Sequence, residues 1–151
     1  MIKELYIRKG RLYNINEILP LIRARSHNKY NHSAERIMLE GDLVNVRSSR
    51  LITFRKSGIV CVCCGIVGAY FVKERHRVIN GCRDIELFHL NLYGLDDNWE
   101  EVLMTSDHIV PHCRHSGRHN NRQTMCYRCN HAKGNREISN KDLAKELGLM
   151  K

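Results

Sequence analysis

No run of about 18 apolar residues occurs in the 151-residue chain, so no segment has the make-up of a membrane-spanning helix. The opening residues, MIKELYIRKGRLYN, lack the apolar stretch of a secretory leader. Internal repeats and low-complexity tracts are also missing, which excludes a collagen and a long coiled coil. Acidic residues are in deficit: 16 Asp and Glu stand against 25 Lys and Arg, a net charge of +9. The remaining balance, 42% hydrophobic and 27% charged, is enough for a core and argues against wholesale disorder. The length suits one domain, or one small domain with an appendage.

Cysteine and positive charge are what the chain has in quantity. Seven cysteines, an odd number without a leader, point to a reducing, cytoplasmic setting and to metal thiolates rather than disulfides. The charge points to a polyanion. The two features are segregated. Residues 1–60 carry 12 Lys and Arg against 5 acids, net +7, and no cysteine. Residues 61–151 carry 13 against 11, net +2, and all seven cysteines. The expected layout is a basic N-terminal segment (1–58), a metal-built domain (59–137) and a C-terminal helix (138–151).

Local patterns predict the elements. Arg8-Lys9-Gly10-Arg11 between Leu5–Ile7 and Leu12–Tyr13 reads as a basic hairpin turn. Asn16 would cap a helix through Arg25, with Pro20 in its first turn, and Ser33 a second helix through Leu39, stopped by Gly41. Arg47–Arg55 reads as a strand or an arm. Ala69–Lys73, Ile85–Tyr93 and Trp99–Thr105 alternate as strands, with Gly94–Asn98 as a turn. Ser139 with Asp142 is a capping signature for a last helix.

Cys61-Val-Cys-Cys64 and Cys126-Tyr-Arg-Cys129 are two C-x2-C pairs with 61 residues between them. Each such knuckle offers two corners of a tetrahedron, and two knuckles complete a closed, structural zinc site. Cys63-Cys64 is a competing register without the x2 spacing. Cys82 and Cys113 remain unassigned. Four thiolates leave no open position on zinc, so any catalytic metal belongs elsewhere.

The CxxCG knuckle is followed by Asp107-His108-Ile-Val-Pro111, by Asn121 five residues before the second pair, and by Cys129-Asn130 with Lys133 three residues on. In this order and spacing the chain, from 61 to about 135, resembles the HNH endonuclease family. Its stretch from Leu92 to His108 is also similar to free-standing phage nucleases. The resemblance implies an α+β fold in which a ββα-metal (HNH) core, stapled by a four-cysteine zinc site, follows a basic mixed α/β segment. It implies that His108 is the general base and that Asp107 and Asn130 hold a catalytic Mg2+ or Mn2+. Asn130 stands in place of the motif's last His, an HNN variant; His131 is the weaker alternative. Asn121 would pin the loop that orients His108, and Lys133 would support the helix or a phosphate. The loop departs from the family: relatives often carry a Gly pair where this chain reads His112-Cys-Arg-His-Ser-Gly-Arg-His119. There Arg114 and Arg118 are candidate phosphate contacts, with Arg8, Lys9 and Arg11 from the N-terminal segment. His112 or His115 remains an alternative base or zinc ligand.

The implied partner is DNA, with a homodimer or two binding events needed to cut both strands, and no membrane. The implied setting is phage or mobile element. A non-catalytic zinc-dependent nucleic-acid-binding module is the alternative.

Overall fold

The computed structural model describes residues 6–22, 36–77, 87–110 and 121–150. Among these the fold is mixed α+β, a mostly antiparallel sheet with four helices. Arg8–Arg11 is not a hairpin turn: β1 (Tyr6–Asn14) runs through it as one strand. The irregularity sits between Lys9 and Leu12 in the register with β4 (Gly68–His76). Gly10, at φ +83°, supplies the left-handed residue there, and a Cβ on it would lie 2.6 Å from a Glu40 carboxylate oxygen.

Asn14, not Asn16, caps the next helix, its side chain accepting from the Asn16 amide. That helix, α1 (Ile15–Ile18), is one turn long and passes into a 3-10 turn, Leu19–Leu21, because Pro20 has no N–H to continue the ladder. The helix expected over 33–39 is a strand where it is described. β2 (Arg36–Leu39) folds back on β3 (Asp42–Asn45) through Glu40 (φ 47°) and Gly41 (φ 83°), the paired positive values of a tight hairpin turn. Ser33 lies outside the described residues. Arg47–Arg55 is neither strand nor arm but part of helix α2 (Ser49–Ser57). Ser48 caps it from the Leu51 amide, and Leu51 and Phe54 are buried.

β5 (His89–Leu95) pairs antiparallel with β4 and, at its far end, with β6 (Glu101–His108). At its near end Asn45 of β3 pairs with His89 in parallel. Gly94 therefore belongs to a strand, and the turn is confined to Asp96–Glu100. There the Asp96 carboxylate accepts from the amides of Asn98 and Glu100. Trp99 takes φ 63° and stands 82% exposed. β6 continues the sheet into β7 (Arg122–Cys126), which leads directly into α3 (Tyr127–Lys133). The expected last helix is α4 (Asn140–Glu146), capped by Ser139.

Strands before residue 58 and after residue 59 thus share one seven-stranded sheet. The main core is likewise joint: Tyr13, Ile18, Val44 and Phe54 pack in one cluster with Leu92, Met104, Met125 and Leu143.

Candidate functional site

Cys61 and Cys64 meet Cys126 and Cys129 across the hairpin, all four sulfurs within 4.8 Å of one another. Cys61, Cys126 and Cys129 are buried and Cys64 is half-buried. The knuckle is tight: the Gly65 amide donates to the Cys61 carbonyl and the Cys61 amide to the Ile66 carbonyl. The Val62 amide donates to the Thr124 carbonyl, which fastens the knuckle to β7. Cys126 ends β7 and caps α3, and Cys129 lies in its first turn. Cys63 is not part of the cluster, which removes the Cys63-Cys64 register. Cys82 and Cys113 lie outside the described residues.

Each of the four sulfurs acts on the titration of the others. Hydrogen bonding from Cys126, then Cys129, holds Cys64 down at about 7. Cys61 is lowered further, again chiefly by Cys126. Cys129 is raised, its bond to Cys126 the largest cause. Such a donor set, four soft sulfurs in a shell of tetrahedral size, is compatible with a structural metal such as zinc.

Beyond the cluster, β6 and β7 present two faces, since side chains alternate along each strand. On the first lie Thr105, Asp107, Gln123 and Met125, covered by α3 and α4. Lys133 Nζ is 2.6 Å from Asp107 Oδ2 and donates also to the His108 carbonyl at 2.6 Å. Gln123 Nε2 donates to the same Asp107 oxygen at 2.9 Å and exchanges amide hydrogen bonds with Asn140. Asn130 Nδ2 donates to Thr105 Oγ1 at 2.9 Å, and that hydroxyl donates to the Met125 carbonyl. His131 is exposed and stacks on Tyr127, ring centroids 5.7 Å apart.

On the second face lie Ser106, His108, Arg122 and Thr124, backed by α2. Ser106 Oγ is 2.9 Å from Thr53 Oγ1, and Thr124 donates to the Gly58 carbonyl. Arg122 is the direct cross-strand partner of His108, and Gln123 of Asp107. Just beyond, Asn121 extends the pairing with its side chain. Its Oδ1 accepts from the Val110 amide at 2.8 Å and its Nδ2 donates to the Val110 carbonyl at 2.7 Å. Asn121 thereby ties down the chain next to His108. Arg114, Arg118, His112 and His115 lie outside the described residues.

The three candidate cations of the first strand, Arg8, Lys9 and Arg11, are engaged within the fold. Arg8 pairs with Glu74 (3.0 Å) and Glu101 (2.9 Å) and lies over the Tyr93 ring. Lys9 pairs with Asp42 (2.9 Å), and Arg11 with Glu17 (2.5 Å) and Glu40 (3.2 Å). Asp42 also meets the fully buried Lys73 at 2.8 Å. Hydrogen bonds from Lys73 and then Lys9 hold the Asp42 carboxyl below its usual range.

Sequence reasoning missed Gln123, Asn140, Ser106 and Thr53. The first could have been found, because it lies two residues after Asn121 and alternates with it on β7. Thr53 had no such signal while α2 was read as extended.

Comparison with protein-family models, with curated proteins and with solved structures finds no match. No helix among the described residues is long and apolar enough to cross a membrane.

Proposed function

We propose that the chain is a metal-dependent endonuclease that hydrolyses DNA phosphodiester bonds, of the HNH type, in a phage or mobile-element setting. One observation carries the reading. A hairpin and the helix that follows it bring the Asp107-His108 strand end together with Asn121 and Asn130, over a four-cysteine cluster.

His108 is suited to general-base work, since an imidazole exchanges a proton near pH 7. It takes the proton from a water whose oxygen attacks phosphorus; the bond to the 3′ oxygen breaks and that oxygen takes a proton from solvent water, leaving a 5′-phosphate and a 3′-hydroxyl. Asn121 restrains the chain beside His108, which limits where the imidazole can sit. The donor set on the α3 face fits a hard cation. Both side-chain contacts of Asp107 use Oδ2, and Asn130 spends its Nδ2 on Thr105, so one carboxylate oxygen and one amide oxygen remain. Asp107 and Asn130 would hold Mg2+ or Mn2+, which when bound supplies positive charge to the phosphate and the leaving oxygen. Lys133 keeps the buried Asp107 carboxylate neutralised and steers Oδ2 away from that role.

The Asp107–Lys133 pair also favours a second reading. A carboxylate already matched by an ammonium needs no metal, as in a zinc-dependent nucleic-acid-binding module without catalysis. Nicking of supercoiled plasmid decides between them. The nuclease converts it to open circles with Mg2+ and not with EDTA, and His108→Ala abolishes the conversion. Cleavage that survives His108→Ala overturns the base assignment. Absence of cleavage with Mg2+ and with Mn2+ establishes the binding module.

A further inference from the structure

Among the described residues Arg122 is the cation without an ion pair that stands across from His108. Across an antiparallel pair, directly opposed residues project to the same side with Cβ atoms about 5 Å apart. The register His108↔Arg122 therefore starts the two side chains side by side, on the face away from Asp107 and Asn130. Arg8, Lys9, Arg11, Lys73, Arg128 and Arg136 all form ion pairs. Among the described residues Arg122 forms none, and its one hydrogen bond there goes from Nη1 to Ser106 Oγ, at 3.2 Å.

That bond is the end of a directed chain. Thr53 Oγ1 donates to the Ser49 carbonyl at 2.8 Å, so its proton is committed. The 2.9 Å contact between Thr53 and Ser106 must then have Ser106 as donor. Ser106 is left with lone pairs only, and these accept from Arg122. Helix α2 thus leashes one nitrogen of the guanidinium through two hydroxyls, and the remaining N–H groups are unspent on the described residues. A planar fork held at one corner, without a carboxylate, matches the oxygens of a phosphate.

We propose that Arg122 binds a non-bridging oxygen of the DNA phosphate that faces His108, with Ser106 and Thr53 as positioning residues that act through it. The proposal rests on the endonuclease reading for its role in cleavage, and on the open guanidinium alone for its role in binding.

The test uses the full zinc-loaded chain and a duplex oligonucleotide. Without added Mg2+ or Mn2+, where nothing is cut, Arg122→Ala and Arg122→Gln lower the slope of log affinity against log salt by about 0.9, the value for one phosphate contact. With Mg2+ they lower kcat about 100-fold, the order found when a single aligned donor is removed, and leave KM within a few-fold. Guanidinium ion added to Arg122→Ala restores part of the rate. Ser106→Ala costs a smaller factor, and adding it to Arg122→Ala costs nothing more, because it acts through the missing group. Bound zinc equal to the parent's shows that each variant is folded. An unchanged salt slope with an unchanged kcat overturns the proposal while a cutting parent leaves the nuclease reading intact. A parent that never cuts, with a slope that falls in Arg122→Ala, overturns the nuclease reading and supports the phosphate contact. A double variant slower than Arg122→Ala alone removes Ser106 from the positioning role.

Discussion

On the α3 side of the β6–β7 hairpin charge meets charge: Lys133 is 1% exposed, Asp107 7–8%, and the pair is sealed by Gln123 and Asn140. On the α2 side the same two strands carry hydroxyls, an imidazole and one guanidinium that no described carboxylate matches. The difference follows from burial. A charge taken out of water needs a partner within hydrogen-bond reach, whereas a half-buried one can keep its hydration. The hairpin thereby acquires a rigid side and a side with unused donors, although both are drawn from alternate residues of the same strands.

The largest effect comes from what the two faces share. With zinc in the four-cysteine cluster, as we propose, Cys126→Ser or a strong chelator removes the staple between knuckle, β7 and α3, and cooperative unfolding disappears from a thermal melt monitored by circular dichroism. If the melt persists, the hairpin is held by its flanking helices alone. Next comes the sealed side. Lys133→Met strands the Asp107 carboxylate and costs about 3–5 kcal/mol in urea unfolding. Lys133→Met with Asp107→Asn recovers more than half of that loss, and failure to recover would show that Lys133 matters through its two backbone carbonyl contacts instead. The open side responds less: Thr53→Val costs about 1 kcal/mol, the worth of its hydrogen bonds. A larger loss would make that face as structural as its opposite.

Outside the hairpin, Asp42 offers a comparison in pH. Its folded carboxyl is depressed by Lys73 and Lys9, so its contribution is present above the usual carboxylate range and is lost as pH falls through the folded value. Asp42→Asn is therefore less stable than the parent at neutral pH, and the two converge in acid. The smallest effect belongs to the cations at the front of the chain. Arg11→Gln leaves the DNA salt slope unchanged, because Glu17 and Glu40 already hold its charge; a slope reduced by about 0.9 would return it to the DNA-facing set.

The site was more legible than the scaffold. C-x2-C spacing has few physical solutions, so the cluster of Cys61, Cys64, Cys126 and Cys129 followed from it. The strand expected over Trp99–Thr105, which runs from Glu101 to His108, and the cap at Ser139 rest on local rules as well. The N-terminal elements rest on partners. Ile37-Met38-Leu39 has no helical or extended preference that outweighs a turn at Glu40-Gly41, and that turn makes it a strand. Arg47–Arg55 looked extended because its β-branched residues were counted and its Ser48 cap was not. Charge was the least legible quantity. The +7 of residues 1–60 suggested a free basic surface, but the acids that offset Arg8 come from residues 74 and 101, too far along the sequence for any window to register.

Trp99 has a spectroscopic consequence. The chain's one indole sits on the β5–β6 turn, open to water in the folded state and held there by the Asp96 carboxylate's grip on the neighbouring amides. Its emission maximum already lies at the red, hydrated end before unfolding begins, so denaturation leaves the colour of the fluorescence almost unchanged. A blue shift at constant fold has one source, a molecule settling over that turn.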